Sequence, residues 1–360
     1  MLLPSHTFTF THPSNFVLYI TAIVLQSVID MVETDNKVRG VGELEKIYNE
    51  LKGVKSNNTV DIFKHSNGMK NDTDIGCCSF FEFKPAFGCA FKCQYPCYLA
   101  PFWNKPVWNT VKDEKKILKG LQRTLFMINE RKVLFNMGEQ ADALLLLRLG
   151  RSNLFHKIID MFQNRSINIT GHKLLLLTKD FDDMMWLRPS YENVVMSVSL
   201  NARDIVSKVE LGATSLSARL LNLLRAKSKG MEYRVRIDPM FYGYQDDYVS
   251  IVEEIAELDL EPAVFTLGSL RLKDWGYRKA KSEGKPWIKD MTEQTQWGRR
   301  YPEHKRVEMY NTVIDAIQEN FPDSDIAICK ETYSVWKQTK LDPTRVRCNC
   351  NYGYVDMTRD

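Results

Sequence analysis

Three cysteines, Cys89, Cys93 and Cys97, fall within nine residues of a 360-residue chain that carries eight cysteines in all. Three thiolates on one loop can hold three irons of a [4Fe–4S] cluster and leave the fourth iron open to a substrate or cofactor. The alternatives are a structural zinc site or unligated thiols. Zinc would require a fourth Cys or His, and no His lies between His65 and His156, so Cys77, Cys78 or a distant residue would have to supply it. Eight cysteines in so long a chain are too few for a disulfide scaffold. Cys77 and Cys78 read as buried core thiols. Cys329, Cys348 and Cys350 read as an inert or redox-active thiol pair near the tail, with hydrogen donor or second-metal ligand as the sharper alternatives.

Such a loop needs a scaffold that presents it to other polar groups. From Cys77 onward, short apolar runs alternate with helix-period segments. The strand candidates are 78–83, 133–137, 173–178, 194–200, 232–237 and 263–269, several with continuous apolar centres bounded by polar residues, as buried parallel strands have. Helical spacing covers 111–130, 152–163, 217–227 and 246–258; a long helix over 304–320 and a strand over 325–330 follow. Repeated strand-then-helix units imply right-handed crossovers and an α/β fold, here a partial (β/α)6 TIM-like barrel. Chemistry in such barrels gathers at the carboxyl ends of the strands. Those ends carry Gly88 to Leu99, GEQADAL (138–144), Thr178-Lys179, Ser199-Leu200-Asn201, RIDPM (236–240) and LGSLR (267–271). Polar groups converge at every end, which a purely structural protein has little reason to arrange. Arg236 and Asp238 also fit a buried ion pair, Glu139 a local cap or pair, and Lys179 a surface lysine at a strand end.

The loop CAFKCQYPCY (89–98) resembles the radical S-adenosylmethionine signature of three cysteines followed by an aromatic. More narrowly, the region from about Phe81 to Cys350 resembles the spore photoproduct lyase family. The matching pieces are the cysteine loop, LLTK (176–179), SVSLNAR (197–203), ELGATSLSARL (210–220), RIDPM, LGSLR, and ICKET with CNC in the tail (328–350). The resemblance implies a barrel of the radical S-adenosylmethionine type, and the two cofactors are a [4Fe–4S] cluster and S-adenosyl-L-methionine. It implies that Cys89, Cys93 and Cys97 ligate the cluster, which reductively cleaves S-adenosylmethionine to a 5′-deoxyadenosyl radical. Glu139 would accept from the cofactor's ammonium, Lys179 would pair with its carboxylate, and Ser199 would bond one of its polar groups, with Asn201 and Arg236 completing the cofactor site. Tyr98 would pack on adenine or relay hydrogen, and Cys329 would replace a missing hydrogen donor. Two departures are visible. The family spaces its cysteines by three residues and then two, whereas this chain has three and three, with Pro96 as the extra residue. The family's hydrogen-donating cysteine near the end of the second strand is absent, since Met137-Gly138-Glu139 stands there.

Composition bounds the rest. Apolar residues make up 44 % and charged residues 26 %, which excludes disordered and low-complexity classes, while a net charge of +4 does not by itself mark a nucleic-acid binder. The segment 271–310 is different, with eleven Lys/Arg against six Asp/Glu, three tryptophans (Trp275, Trp287, Trp297) and three tyrosines (Tyr277, Tyr301, Tyr310). Interleaved cations and aromatics suit phosphates and exposed bases, so DNA is the expected substrate; the alternative is a solvated cover with its rings turned inward. Substrates of other classes (RNA, a peptide, a small metabolite) and a non-catalytic metal- or nucleic-acid-binding module are the competing readings. Residues 16–29 form an apolar run too short for a membrane span and without a preceding Lys or Arg. That run reads as a packed helix, a weak anchor, or sequence upstream of a start at Met31. The expected organisation is an extension over 1–30, a helix (43–51) and linker over 31–75, the barrel over 76–272 and a C-terminal extension over 273–360. A cytoplasmic enzyme, with no stable membrane partner and with ferredoxin or flavodoxin as electron donor, is the resulting expectation.

Overall fold

The computed structural model describes residues 39–40, 60–63, 69–95, 110–111, 113–128, 131–139, 141–295 and 298–359. All of them belong to one compact unit, Val38–Asp360. The expectations for 16–29, the helix at 43–51, Cys97 and Tyr98 fall outside the described residues.

Seven strands run parallel in chain order across one curled sheet. They are β1 (Phe80–Phe83), β2 (Leu134–Met137), β3 (Lys173–Thr178), β4 (Val194–Ser199), β5 (Glu232–Met240), β6 (Val264–Ser269) and β7 (Asp325–Ile328). Every neighbouring pair is parallel, and an antiparallel strand, Val60–Phe63, closes the β1 edge. Crossovers carry α1 (Glu114–Met127) after β1, α2 (Ser152–Gln163) after β2, α3 (Leu216–Ser228) after β4, α4 (Gln245–Glu257) after β5 and α5 (Glu303–Asn320) after β6. This is the partial barrel that the alternating pattern predicts, with a seventh parallel strand beyond the six. That strand comes from the stretch after 273, and β7 bonds to β6 from Val264↔Asp325 to Leu267↔Ile328.

Parallel strands covered on both faces must be apolar throughout, and all six residues of β4 and of β6 are buried. The inner wall is where polar residues intrude. Asn136 of β2 donates to the Cys350 sulfur at 3.3 Å, and Ser197 of β4 bonds Asn349 at 2.7 Å. The Asn349 amide donates to Thr266 of β6 at 2.9 Å. Arg234 of β5, fully buried, donates from one nitrogen to the carbonyls of Cys348, Asn349 and Asn351 at 3.1, 2.9 and 2.8 Å. The C-terminal segment 348–351 therefore fills one level of the barrel interior. Side chains recur on one face every second residue, so the next level toward the strand ends is Ser199 and Arg236, two positions beyond Ser197 and Arg234. That level faces a cavity instead of the tail.

Two glycines are required there. At Gly138, just past β2, φ is +151° and a Cβ would lie 2.5 Å from the Leu177 carbonyl oxygen; at Gly268 a Cβ would lie 2.5 Å from the Asp238 carboxylate carbon. Both keep the mouth of the barrel narrow enough for strand-end side chains to meet. Truncating Arg234 would leave three carbonyls without a buried donor. Arg234→Ala is expected to lower unfolding free energy by about 3–5 kcal/mol in urea titrations, with a change confined to a few tenths contradicting this plug.

Candidate functional site

At the carboxyl end of the barrel lies a cavity of about 1280 Å³, part of it open to solvent. Cys89 and Cys93 stand in its wall with Glu139, Lys179, Ser199 and Arg236, so six of the ten residues expected at the site line one space. Asn201 does not reach it. Its side chain is buried, donating to the Pro239 carbonyl at 3.0 Å and to Glu210 at 3.2 Å, and accepting from the Tyr248 hydroxyl at 2.9 Å. Asn201 thus ties the ends of β4 and β5 together rather than facing a cofactor. Cys329 also stands behind the wall, lining a smaller cavity of about 430 Å³ with Cys77, Cys78, Cys348 and Cys350. Its sulfur accepts from Arg236 at 3.9 Å and Arg271 at 3.8 Å, the two guanidiniums that separate it from the main space. Burial pushes the Cys329 thiol up to about 12, so it keeps its S–H bond at neutral pH.

The cysteine loop is fastened at its start. Lys92 and Cys93 pair antiparallel with Leu211 and Glu210, and the Gln94 amide donates to the Val209 carbonyl at 2.7 Å. Phe91 and Tyr95 are buried on either side of Cys93. No disulfide joins the described cysteines. Among the described residues no three Cys, His, Asp or Glu side chains gather as a complete metal site, and the third cysteine of the loop lies outside them. Two thiol side chains from one loop in the wall of one spacious cavity nevertheless make a donor set that fits an iron–sulfur cluster with further ligation from the same loop.

Lys179 is not the bare strand-end cation its position suggested. Its ammonium bonds the Tyr95 hydroxyl and Glu210 Oε1, the latter at 2.6 Å, and Arg219 pairs with Glu210 Oε2 at 2.6 Å. Burial alone would raise the Glu210 pKa, but the two cations outweigh it and hold the carboxyl down at about 2. One carboxylate answers two cations, and Lys179 is the one that lines the cavity. The pairing therefore leaves positive charge facing the space. Arg236 realises the ion pair its sequence context allowed, bonding Asp238 at 2.8 Å and also Glu139 at 3.0 Å. Arg271 shares the same Asp238 oxygen at 2.9 Å, and the two guanidiniums hold Asp238 well below the usual carboxylate range against its burial.

Phe91 and Tyr95 line the cavity and were given no role from sequence; Asp238, Arg271 and Trp275 line it too, and the sequence had named them as an ion-pair partner, as the end of LGSLR and as part of the basic aromatic segment. Tyr95 sits inside the cysteine motif, and Asp142 lies in the strand-end stretch 138–144, where it was given no role of its own. Its carboxylate accepts from the Thr178 hydroxyl at 2.7 Å, the Lys179 amide at 2.8 Å and the Leu144 amide at 3.0 Å.

The basic aromatic segment is largely spent inside. Tyr301, Tyr310, Arg300 and Arg306 are buried, and both arginines pair with the buried Glu331, at 3.2 and 3.1 Å. Trp287 packs edge-on against Phe241, and Trp297 lies outside the described residues. The rings turned inward outnumber those left for bases. Lys273, Arg278, Lys279, Lys281 and Lys289 remain exposed, and Trp275 stands in the cavity wall beside them.

No protein-family model matches the chain, and no curated protein does. Solved structures do match in fold. A spore photoproduct lyase mutant with dinucleoside spore photoproduct superposes with a TM-score of 0.56 at 18% identity, covering 74% of this chain and 78% of that one. Spore photoproduct lyase complexed with the same dinucleoside gives 0.56 at 15% identity, covering 80% and 94%. A further mutant, with bound AdoMet and the dinucleoside, also gives 0.56 at 15% identity over 80% and 94%. The resemblance read from the motifs thus holds at the level of the fold. Among the described residues no helix is long and apolar enough to cross a membrane.

Burial lifts the Asp142 pKa to about 6, against the opposing pull of the Lys179, Thr178 and Leu144 donors. The fold therefore binds this proton more tightly than the unfolded chain does, and stability falls as pH rises from about 4 to 6. Asp142→Asn is expected to flatten that part of the urea-derived stability curve; an unchanged slope would show that the group titrates normally.

Proposed function

We propose that this chain is a radical S-adenosylmethionine enzyme acting on a nucleic-acid substrate, with a DNA lesion as the first candidate. The observation that carries the reading is convergence. Two cysteines of the signature loop and four strand-end polar residues share one cavity, in a fold common to this chain and spore photoproduct lyase. A [4Fe–4S] cluster bound there would supply the electron for reductive cleavage of S-adenosylmethionine.

The chain's own residues divide the remaining work. Cys89 and Cys93, with Cys97, ligate the metal. Lys179 offers a cation to the cofactor's carboxylate, held in place by Glu210 and Tyr95. Glu139 offers a carboxylate to its ammonium, oriented by Arg236. Ser199 supplies a hydroxyl in a wall otherwise rich in apolar and ion-paired groups. Tyr98 remains the aromatic next to the last ligand. Cys329, protonated behind Arg236 and Arg271, is the reserve hydrogen donor in the place of the cysteine that β2 lacks. The exposed lysines and Arg278 of the 273–289 stretch give the mouth a cationic rim for phosphates, and the lesion bound in the lyase structures indicates the class of substrate to try first. An intracellular ferredoxin or flavodoxin fits as the electron source in a cytoplasmic setting.

The test is anaerobic reconstitution followed by counting of iron, sulfide and 5′-deoxyadenosine after dithionite and S-adenosylmethionine are added. About four irons are expected, with Cys93→Ala losing most of them and Lys179→Ala weakening S-adenosylmethionine binding about tenfold. Ultraviolet-damaged DNA should raise the rate of deoxyadenosine formation. Zinc in place of iron, or a cluster with no cleavage of the cofactor, would overturn the reading.

A further inference from the structure

The carboxylate of Glu210 is completely buried, yet it touches four separate parts of the chain. It accepts from Tyr95 in the cysteine loop at 2.5 Å, from Lys179 past β3 at 2.6 Å and from Asn201 past β4 at 3.2 Å, and it pairs with Arg219 of α3 at 2.6 Å. Arg219 in turn donates to the Ser199 carbonyl at 3.0 Å and the Thr214 carbonyl at 3.0 Å. Glu210 also supplies the backbone opposite Cys93 in the two-residue ladder. Main chain and side chain thus fix the loop from the same point. Lys285 adds a tether from the other side, donating to the Gln94 side chain at 2.9 Å.

We infer that Tyr95 and Glu210 are positioning residues: the buried hydroxyl–carboxylate bond, above the ladder at Cys93, sets the direction of the cysteine loop before any metal arrives. An unfastened loop would have to lose its conformational freedom when metal binds, at a cost of about 1–2 kcal/mol per residue ordered. A loop ordered in advance avoids that cost, as preorganised sites do. Neither residue is assigned a bond to the metal. The inference deepens the functional reading and rests on it for the identity of the metal, but the loop geometry it describes exists without one.

Hydrogen exchange on the intact metal-free protein, read by NMR or mass spectrometry at residue resolution, tests it. The Gln94 amide, which donates to the Val209 carbonyl, is expected to be protected well above the random-coil rate in the wild type. Tyr95→Phe should speed its exchange about tenfold or more while leaving the amides of β6 unchanged, because it removes the hydroxyl's two hydrogen bonds, to Glu210 and from Lys179, without altering the fold. Glu210→Gln, which keeps an acceptor for the hydroxyl but leaves Lys179 and the buried Arg219 without their counter-charge, should lose more protection than Tyr95→Phe. In reconstitution the initial rate of iron uptake should fall in the same order. Random-coil exchange at Gln94 in the metal-free wild type would overturn the inference, as would equal protection in all three proteins; the first of these needs no variant to fold. Protection without any iron uptake by the wild type would leave the clamp standing and remove the cluster reading instead.

Discussion

A carboxylate without water must be answered by cations, and at Glu210 this rule organises the mouth of the barrel. Removing either partner would strand an uncompensated buried charge, an outcome that costs several kcal/mol. The chain therefore places Lys179, Arg219 and Glu210 together or not at all. Because Tyr95 shares the same carboxylate, the cysteine loop is bound into that decision. The strand ends and the cysteine loop are positioned by one electrostatic constraint rather than by two independent ones.

A second constraint acts beneath it. Seven parallel strands curl around a space that must be filled below and left open above. The tail fills it, with Arg234 holding three of its carbonyls, and the pleat then delivers Ser199 and Arg236 to the open level. The two cavities meet at Glu139 and Arg236, which line both. Five cysteines sit on the far side of that partition; burial raises the thiols of Cys77 and Cys329, and the Cys348 side chain together with burial raises that of Cys350. Protonated thiols are poor nucleophiles and good holders of hydrogen, which separates their chemistry from that of the loop cysteines.

Much of the scaffold was legible because burial writes itself into short runs. The apolar stretch 173–178, closed by Lys and Thr, and the amphipathic 152–163 occupy the spans their patterns predict, β3 and α2. β5 extends to Met240 past a register shift after Ile237, where the polar Asp238 and Pro239 had suggested a loop. The strand-end rule found Glu139, Lys179, Ser199 and Arg236, since it depends only on local order. It misplaced Asn201 by one side-chain direction. What it missed depends on long-range pairing: Tyr95 and Glu210 are 115 residues apart, and nothing local announces that bond. The basic aromatic segment was legible only in part for the converse reason, because Arg300 and Arg306 look like surface charge until Glu331 is placed between them.

On the proposed reading, the loop cysteines would hold a cluster on the Lys179 and Glu139 side of the cavity, where S-adenosylmethionine would bind it. Pulsed electron–nuclear double resonance on the reduced, reconstituted protein, frozen with S-adenosylmethionine labelled with oxygen-17 in its carboxylate, reads that contact directly. The account predicts a hyperfine coupling between the label and the cluster's electron spin, reduced in Lys179→Ala. A reduced cluster showing no coupling to the label in the wild type would contradict it.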